Sequence, residues 1–142
     1  MTRFYYGKDC KGKLVRDNIY EIIRTNHHEA KTRQLDCREL AKEILNKIPE
    51  ELSELLVALE GGDIAEEKEE LADLITLIDA YTKARQFDTM EIEKIKQAKN
   101  AKKGAFDKGI FIEYVDLNPE SDDYDFWCSH FRKNSDRYIE DK

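Results

Sequence analysis

Apolar residues in the middle of the chain recur at spacings of three and four, which is the period of an amphipathic α-helix. Asp36 stands before the first such stretch, which runs to about Glu60, and is placed to cap it. Pro49 interrupts the pattern, so that either the helix kinks there or a new helix starts with proline in its first turn. The residues expected to face inward are Ala41, Leu45, Ile48, Leu52, Leu55 and Leu59.

A second long helix is expected directly after Gly61-Gly62, because paired glycines end a helix. Asp63 and Glu66 have the spacing of a capping box at its start, and the pattern continues to about Gln86. So short a connection favours antiparallel packing of the two helices. The inward residues expected here are Ile64, Leu71, Leu74, Ile75, Ile78 and Tyr81.

Shorter elements flank this pair. Residues 18–25, NIYEIIRT, predict a short helix capped by Asp17. Asp88 and Glu91 form another capping box, which opens a helix ending near Gly104.

The C-terminal part is less regular. Residues 109–116, GIFIEYVD, alternate like a short strand or an extended arm. We therefore predict an all-α fold, an antiparallel bundle of four to five helices with a short extended segment near 109–116. Residues 1–116 are predicted to form the helical domain, and residues 117–142 an acidic and aromatic C-terminal tail.

Composition narrows the class of protein. Charged residues make up 39% of the 142 residues and the net charge is −7, which argues against binding to nucleic acid or to an anionic membrane. No apolar run approaches the roughly 20 residues that cross a bilayer, and the N-terminus lacks the apolar core of a secretory signal. Cys10, Cys37 and Cys128 are odd in number and widely spaced, as in reduced thiols. We expect a cytoplasmic protein without a disulfide or zinc site.

Four acidic residues lie next to the apolar stripes of the two long helices. Glu51 and Glu54 are three residues apart and share a helix face, as do Glu70 and Asp73. Counted from the Gly61-Gly62 turn, Glu54 and Glu70 both lie about 10–12 Å from the closed end, with Glu51 and Asp73 one turn further. Antiparallel packing would bring all four carboxylates to one place.

Such a cluster needs cations, because burying an unpaired ion is costly. Oxygen ligands suit Mg²⁺ or Mn²⁺ and do not suit zinc or copper. A di-iron site would need Glu-x-x-His repeats on facing helices, whereas His27, His28 and His130 lie in expected loops or in the tail. The alternative is that both motifs are charged, solvent-facing helix surfaces.

The two motifs, Glu51-Leu-Ser-Glu54 and Glu70-Leu-Ala-Asp73, resemble the ExxE…ExxD signature of the all-α nucleoside triphosphate pyrophosphohydrolases. These are the MazG-like enzymes, related to phosphoribosyl-ATP pyrophosphohydrolase and to dimeric dUTPases. The stretch from Lys13, KLVRDNIYEII, resembles the start of a MazG-like branch of single-domain proteins, and KQAKNAKKGAF, from Lys96, resembles the final helix of that family. The resemblance covers roughly residues 13–115.

The resemblance implies Mg²⁺-dependent hydrolysis, with Mn²⁺ as a substitute, between the α- and β-phosphates of a nucleoside triphosphate. The substrates would be modified or surplus nucleotides, and the products a monophosphate and pyrophosphate. By analogy Glu54, Glu70 and Asp73 are the main metal ligands, and Glu51 binds the metal or deprotonates the attacking water.

The resemblance also assigns candidates for substrate binding. Lys96, Asn100 and Lys103 lie at spacings of four and three, so that one helix face presents two cations and an amide to phosphate or sugar. The alternative for these lysines is a solvated last turn that complements the helix dipole. Lys13 and Arg16 are weaker candidates for phosphate binding.

Two further functions remain open at this point. A noncatalytic helical module for oligomeric assembly could keep the fold without efficient chemistry, although the complete set of four acids counts against it. Phosphoribosyl-ATP is a rival substrate. Family members associate through their helices, so we expect a homo-oligomer, either a dimer or a tetramer.

Overall fold

The computed structural model describes residues 2–7, 11–134 and 136–137, and all structural statements concern these residues. They form five helices and no strand, which confirms the all-α class. None of the described helices is long and apolar enough to cross a membrane. The helices are α1 (Ile19–Thr25), α2 (Cys37–Gly61), α3 (Ile64–Ala84), α4 (Thr89–Lys103) and α5 (Tyr124–Lys133).

Helix α2 begins at the predicted cap and is continuous through Pro49. The side chain of Asp36 accepts hydrogen bonds from the backbone N–H groups of Arg38 and Glu39, at 2.8 Å each. The side chain of Glu39 accepts in return from the Asp36 N–H at 3.3 Å, which completes a capping box. Proline lacks the N–H that would bond to the carbonyl of residue 45, yet the helix continues to Gly61. The alternative of a new helix starting at Pro49 is therefore wrong.

The turn between α2 and α3 fixes how the two helices face each other. Gly62 has a left-handed backbone with φ of 72°, which glycine adopts without steric cost. Its N–H donates to the carbonyl of Leu59, and the Asp63 N–H donates to that of Ala58, both at 3.2 Å. This pair of bonds ends α2 in a Schellman motif. The Asp63 side chain caps α3, but its N–H already serves α2, so only the first half of the predicted capping box with Glu66 forms.

Helices α2 and α3 pack against each other as an antiparallel hairpin, and few side chains between them are buried. In α2 the buried positions follow a spacing of seven through Ile44, Glu51 and Ala58, with Ala41 beside them. In α3 the buried residue is Leu77. Two helices cover only a narrow face of each other, so most of the apolar surface stays outside this contact.

The inward faces predicted from apolarity are therefore partly wrong. Side chains that were expected in the core are about half exposed or more, because they lie beside the α2–α3 contact and not within it. In α2 these are Leu45, Leu52 and Leu59, and in α3 they are Ile64, Leu71, Ile75 and Ile78. With Leu56 of α2 they form what we call the outer apolar stripe of the hairpin.

The remaining elements differ from expectation in detail. Helix α1 has Asn18 at its N-cap position without a side-chain hydrogen bond, so the predicted cap at Asp17 is wrong. Residues 109–118 form neither helix nor strand. Of the two alternatives for residues 109–116, the strand is therefore wrong and the extended arm remains. Helix α5 lies inside the segment predicted as a tail.

By their internal contacts the residues divide into two compact units, Met1–Lys99 and Asn100–Lys142. The acidic motifs belong to the first unit. In the second unit, α5 carries His130, which sequence reasoning placed in an irregular tail. The domain boundary predicted near residue 116 stays a prediction.

Candidate active site

Three of the four acidic residues singled out by the sequence come together between α2 and α3. Glu51, Glu70 and Asp73 each offer a carboxylate oxygen, and these oxygens lie within 4.8 Å of one another. Among the described residues, no other group of histidine, cysteine or acidic side chains is arranged in this way. Their antiparallel register arises because the short turn at Gly62 aligns the two motifs.

Glu51 is the buried member of the group. It occupies the middle of the buried stripe of α2, between Ile44 and Ala58, and is 4% exposed. The ammonium of Lys47, one turn earlier on the same helix, contacts its Oε1 atom. A carboxylate at so buried a position needs such a partner, since an unpaired buried charge is strongly destabilising.

Glu70 is the member of the group whose carboxylate lacks, within the described part of the chain, a hydrogen-bond partner for one of its oxygens. Its Oε2 atom is buried and has no hydrogen-bond partner among the described residues. Loss of solvent raises the pKa of Glu70, and the nearby negative charges of Glu54, Glu51, Asp73 and Glu66 raise it further. A divalent cation would supply the missing partner and offset the repulsion. The oxygen-only donor set therefore fits Mg²⁺ or Mn²⁺.

Glu54 stands apart from the group of three. It is exposed, although its charge still acts on Glu70 and on Lys13. Glu54 is three residues from Glu51, which turns it by about 60° from the buried stripe. Its role as a main metal ligand stays a prediction.

Two cations from the N-terminal segment, residues 11–16, lie against the acids. The ammonium of Lys13 donates a hydrogen bond to Glu50, and the guanidinium of Arg16 donates one to Asp73. The hydrogen bond to Glu50 raises the pKa of Lys13; desolvation opposes the rise, and the charges of Glu50, Glu51 and Glu54 add to it. Both ion pairs are substantially exposed to solvent.

A pocket of about 250 Å³ opens beside this arrangement. Acids, cations and apolar side chains share its wall, so one cavity combines carboxylates with positively charged groups. It is lined by Tyr6, Lys13, Leu14, Val15, Arg16, Ile19, Lys47, Glu51, Asp73, Thr76 and Leu77.

The other predicted substrate ligands lie on α4. Lys96 forms an ion pair with Glu93 on the same helix. Asn100 and Lys103 are exposed and belong to the second unit. Their role towards a nucleotide stays a prediction.

Sequence reasoning missed two residues of the site, Lys47 and Glu50. Lys47 stands four residues before Glu51, and this spacing on one helix is itself the signal that could have found it. Glu50 pairs with Lys13 across 37 positions of sequence, so no local pattern pointed to that contact.

Comparison with protein families agrees with this geometry. The family model of phosphoribosyl-ATP pyrophosphohydrolase matches residues 17–101, which is more than half of the chain and includes both acidic motifs. Lys13 and Arg16 precede the matched region. No curated protein and no solved structure matches the chain significantly. The chain belongs to the phosphoribosyl-ATP pyrophosphohydrolase family, within the all-α MazG-like superfamily of pyrophosphohydrolases that act on nucleotides.

Proposed function

We propose that this member of the phosphoribosyl-ATP pyrophosphohydrolase family hydrolyses nucleoside triphosphates, modified or surplus, between the α- and β-phosphates. The products are a nucleoside monophosphate and pyrophosphate. One observation carries the proposal: Glu51, Glu70 and Asp73 converge within 4.8 Å, and a buried oxygen of Glu70 is left without a partner.

Glu70 and Asp73 would hold Mg²⁺ (or Mn²⁺), with the exposed Glu54 and the buried Glu51 as the further ligands. When bound there, the ion would neutralise charge on the phosphates and lower the pKa of the attacking water. Family members typically use divalent metals, which supports this assignment.

Glu51 acts on the attacking water. Its carboxylate accepts a proton from that water as the oxygen bonds to the α-phosphorus. The bond between the α-phosphorus and the bridging oxygen breaks, and pyrophosphate leaves with the bonding electrons. Lys47 holds Oε1 of Glu51, so the carboxylate keeps one orientation while its second oxygen stays available.

The phosphates and the sugar need cationic and amide partners. Lys13 and Arg16 line the same pocket as Glu51 and Asp73, which supports a role for these two cations in binding phosphate. Lys96, Asn100 and Lys103 have the spacing of one face of α4, and we keep them as further candidates for binding phosphate or sugar.

The active form is a homo-oligomer, a dimer or a tetramer. Among the described residues, the leucine and isoleucine side chains of the outer apolar stripe are about half exposed or more on both long helices. Helices of a second copy would bury this stripe in a four-helix arrangement.

Phosphoribosyl-ATP is the competing substrate, and the family match favours it. Its hydrolysis would use the same carboxylates and also release pyrophosphate. Mass-spectrometric product analysis, after incubation with Mg²⁺ and a panel of NTPs, dNTPs and phosphoribosyl-ATP, separates the two.

We expect monophosphates and pyrophosphate from the nucleoside triphosphates. Turnover of phosphoribosyl-ATP alone would replace the proposed substrate class. Orthophosphate with a diphosphate would place the protein in a different enzyme class. If no nucleotide is hydrolysed while metal binds normally, the protein is a noncatalytic assembly module.

A further inference from the structure

The acidic site carries cations of two different kinds. Lys47 and Glu51 sit one turn apart on α2, and their side chains are 20% and 6% exposed. Arg16 and Asp73 are 57 positions apart in sequence, and their side chains are 58% and 39% exposed. The first pair is fixed by its helix, whereas the second joins an irregular segment to α3.

This difference decides which cation can leave when a metal arrives. Separating Lys47 from Glu51 would leave a buried carboxylate without a partner of opposite charge. Separating Arg16 from Asp73 costs little, because exposed ion pairs contribute little to stability and water solvates both groups. Asp73 also belongs to the group of three carboxylates that fit a divalent cation.

The N-terminal segment can stay in place when Arg16 moves. Leu14 and Ile19, on either side of Arg16, are partly buried and line the pocket, while Val15 also contributes to the wall. The guanidinium is carried by a long, flexible side chain that lines that pocket and is 58% exposed. It can therefore turn from Asp73 to a ligand in the cavity without unfolding the segment.

We propose that Arg16 is an exchangeable cation of the acidic site. It neutralises Asp73 when no metal is present, leaves Asp73 when a divalent cation binds, and then donates to a phosphate oxygen of the nucleotide. The last two steps rest on the metal site and the phosphate binding of the proposed function; the first step does not. Metal binding thereby frees the group that recognises phosphate, and this couples the two binding events.

Metal affinity without nucleotide tests the exchange. Titration calorimetry with Mn²⁺ compares the wild type with Arg16→Gln, which removes the competing cation. We expect Arg16→Gln to bind Mn²⁺ about two- to fivefold more tightly, the range set by the loss of one exposed ion pair. Arg16→Lys keeps a cation and should stay near the wild type. Arg24→Gln is the matched control, since Arg24 is also 58% exposed and pairs with Glu21 on its own helix.

Nucleotide affinity tests the transfer to phosphate. The probe is a nucleoside triphosphate with a methylene group between the α- and β-phosphates, added with Mg²⁺. Arg16→Gln should bind it at least about tenfold more weakly, as expected for loss of a charged hydrogen bond. Exchange predicts that Arg16→Gln raises the affinity for the metal and lowers the affinity for the nucleotide. Loss of a merely structural ion pair would change both affinities in the same direction.

A third readout observes the side chain directly. The NMR signal of the Arg16 guanidinium, identified by its disappearance in Arg16→Lys, should shift when Mg²⁺ is added without nucleotide. An unshifted signal, or a Mn²⁺ affinity that is unchanged or weaker in Arg16→Gln, overturns the exchange. Tighter Mn²⁺ binding with unchanged affinity for the analogue overturns the phosphate step. A wild type that binds no Mn²⁺ refutes the metal site itself, which is a failure of the proposed function.

Discussion

The ammonium of Lys47 contacts the carboxylate of Glu51 one helical turn away, at the most buried acidic position of α2. Among the described residues of the unit Met1–Lys99, the only extensive contact between helices is that of α2 with α3. The ion pair offsets the cost of burying the Glu51 carboxylate in this contact. It also links stability to chemistry, because Glu51 is the proposed acceptor of the water proton.

Replacing Lys47 should therefore destabilise the protein. Lys47→Met leaves Glu51 buried without its partner, and we expect the free energy of unfolding to fall by about 2–3 kcal/mol in the absence of metal. Urea unfolding with a chelator measures this loss. Lys42→Met, an exposed lysine of the same helix, should change stability by less than about 0.5 kcal/mol. Equal effects of the two substitutions would mean that the Lys47–Glu51 contact does not matter for folding.

Glu51→Gln tests the proton acceptor. The amide keeps the shape of the side chain but cannot take a proton, so turnover should fall by about 10²- to 10⁴-fold while much of the nucleotide affinity remains. Pyrophosphate release under saturating Mg²⁺ and nucleotide measures it. Glu60→Gln, at an exposed position near the end of α2, is the control and should retain wild-type turnover. A Glu51→Gln protein with wild-type turnover would remove Glu51 from the chemical step.

Glu70 should make the stability of the metal-free protein depend on pH. Because its pKa in the folded protein lies above the usual 4.5, the folded state holds this proton more tightly than the unfolded chain does. Its contribution is fully present below pH 4.5 and is lost as the pH rises through the raised pKa. Glu70→Gln should thus melt higher than the wild type near neutral pH, and this difference should shrink as the pH falls towards 4.5.

Added Mg²⁺ should make the wild type melt higher than Glu70→Gln, the reverse of the order expected without metal. Mg²⁺ at a hundredfold excess over its Kd stabilises a folded protein by about 2.7 kcal/mol, and Glu70→Gln removes a ligand and should lose much of this gain. Glu54→Gln should show a smaller rise in melting temperature without metal and a smaller loss of the Mg²⁺-dependent gain, because Glu54 is exposed. Glu69→Gln, an exposed neighbour on α3, is the control. If all three variants follow the wild type with and without Mg²⁺, these carboxylates do not share a metal site.

The outer apolar stripe should control assembly. Leu56 is 51% exposed on α2, and Leu56→Glu places a charge where a second copy would pack. We expect a smaller species by size-exclusion chromatography with light scattering. Ser53→Glu adds the same charge one turn earlier at an exposed polar position and should leave the mass unchanged. A wild type that is already monomeric would contradict the proposed homo-oligomer.

Asp123 offers a pH test in the second unit. Hydrogen bonds from the Ser121 hydroxyl and from the Trp127 indole, the latter 2.8 Å long, hold the pKa of Asp123 below its usual 3.8. The contacts are intact above pH 3.8 and are lost as the pH falls through the lowered pKa. Trp127 is the only tryptophan of the sequence, so its fluorescence should report that acid transition. Asp123→Asn should abolish it and Asp122→Asn should not; the same transition in both would assign it to another group.

The sequence by itself determined helices α2 and α3 and the register of the acidic motifs on them. Asp36 and Asp63 mark the starts of α2 and α3, and Gly62 provides the left-handed turn between them. These signals are local, since a cap or a turn depends on residues within about four positions of each other. The spacing from that turn predicted that all four acids would meet, and three of them, Glu51, Glu70 and Asp73, do.

Only the tertiary structure decided which side of each helix became the interior. Apolarity favoured the stripe through Leu45 and Leu52, yet the buried stripe runs through Ile44, Glu51 and Ala58. The contact with α3 covers one narrow face, and which face it covers depends on how two helices pack rather than on the hydrophobicity of either. Glu51 is buried in that contact while Glu54 stays exposed, and tertiary structure also brings Arg16 to Asp73, 57 positions away in sequence.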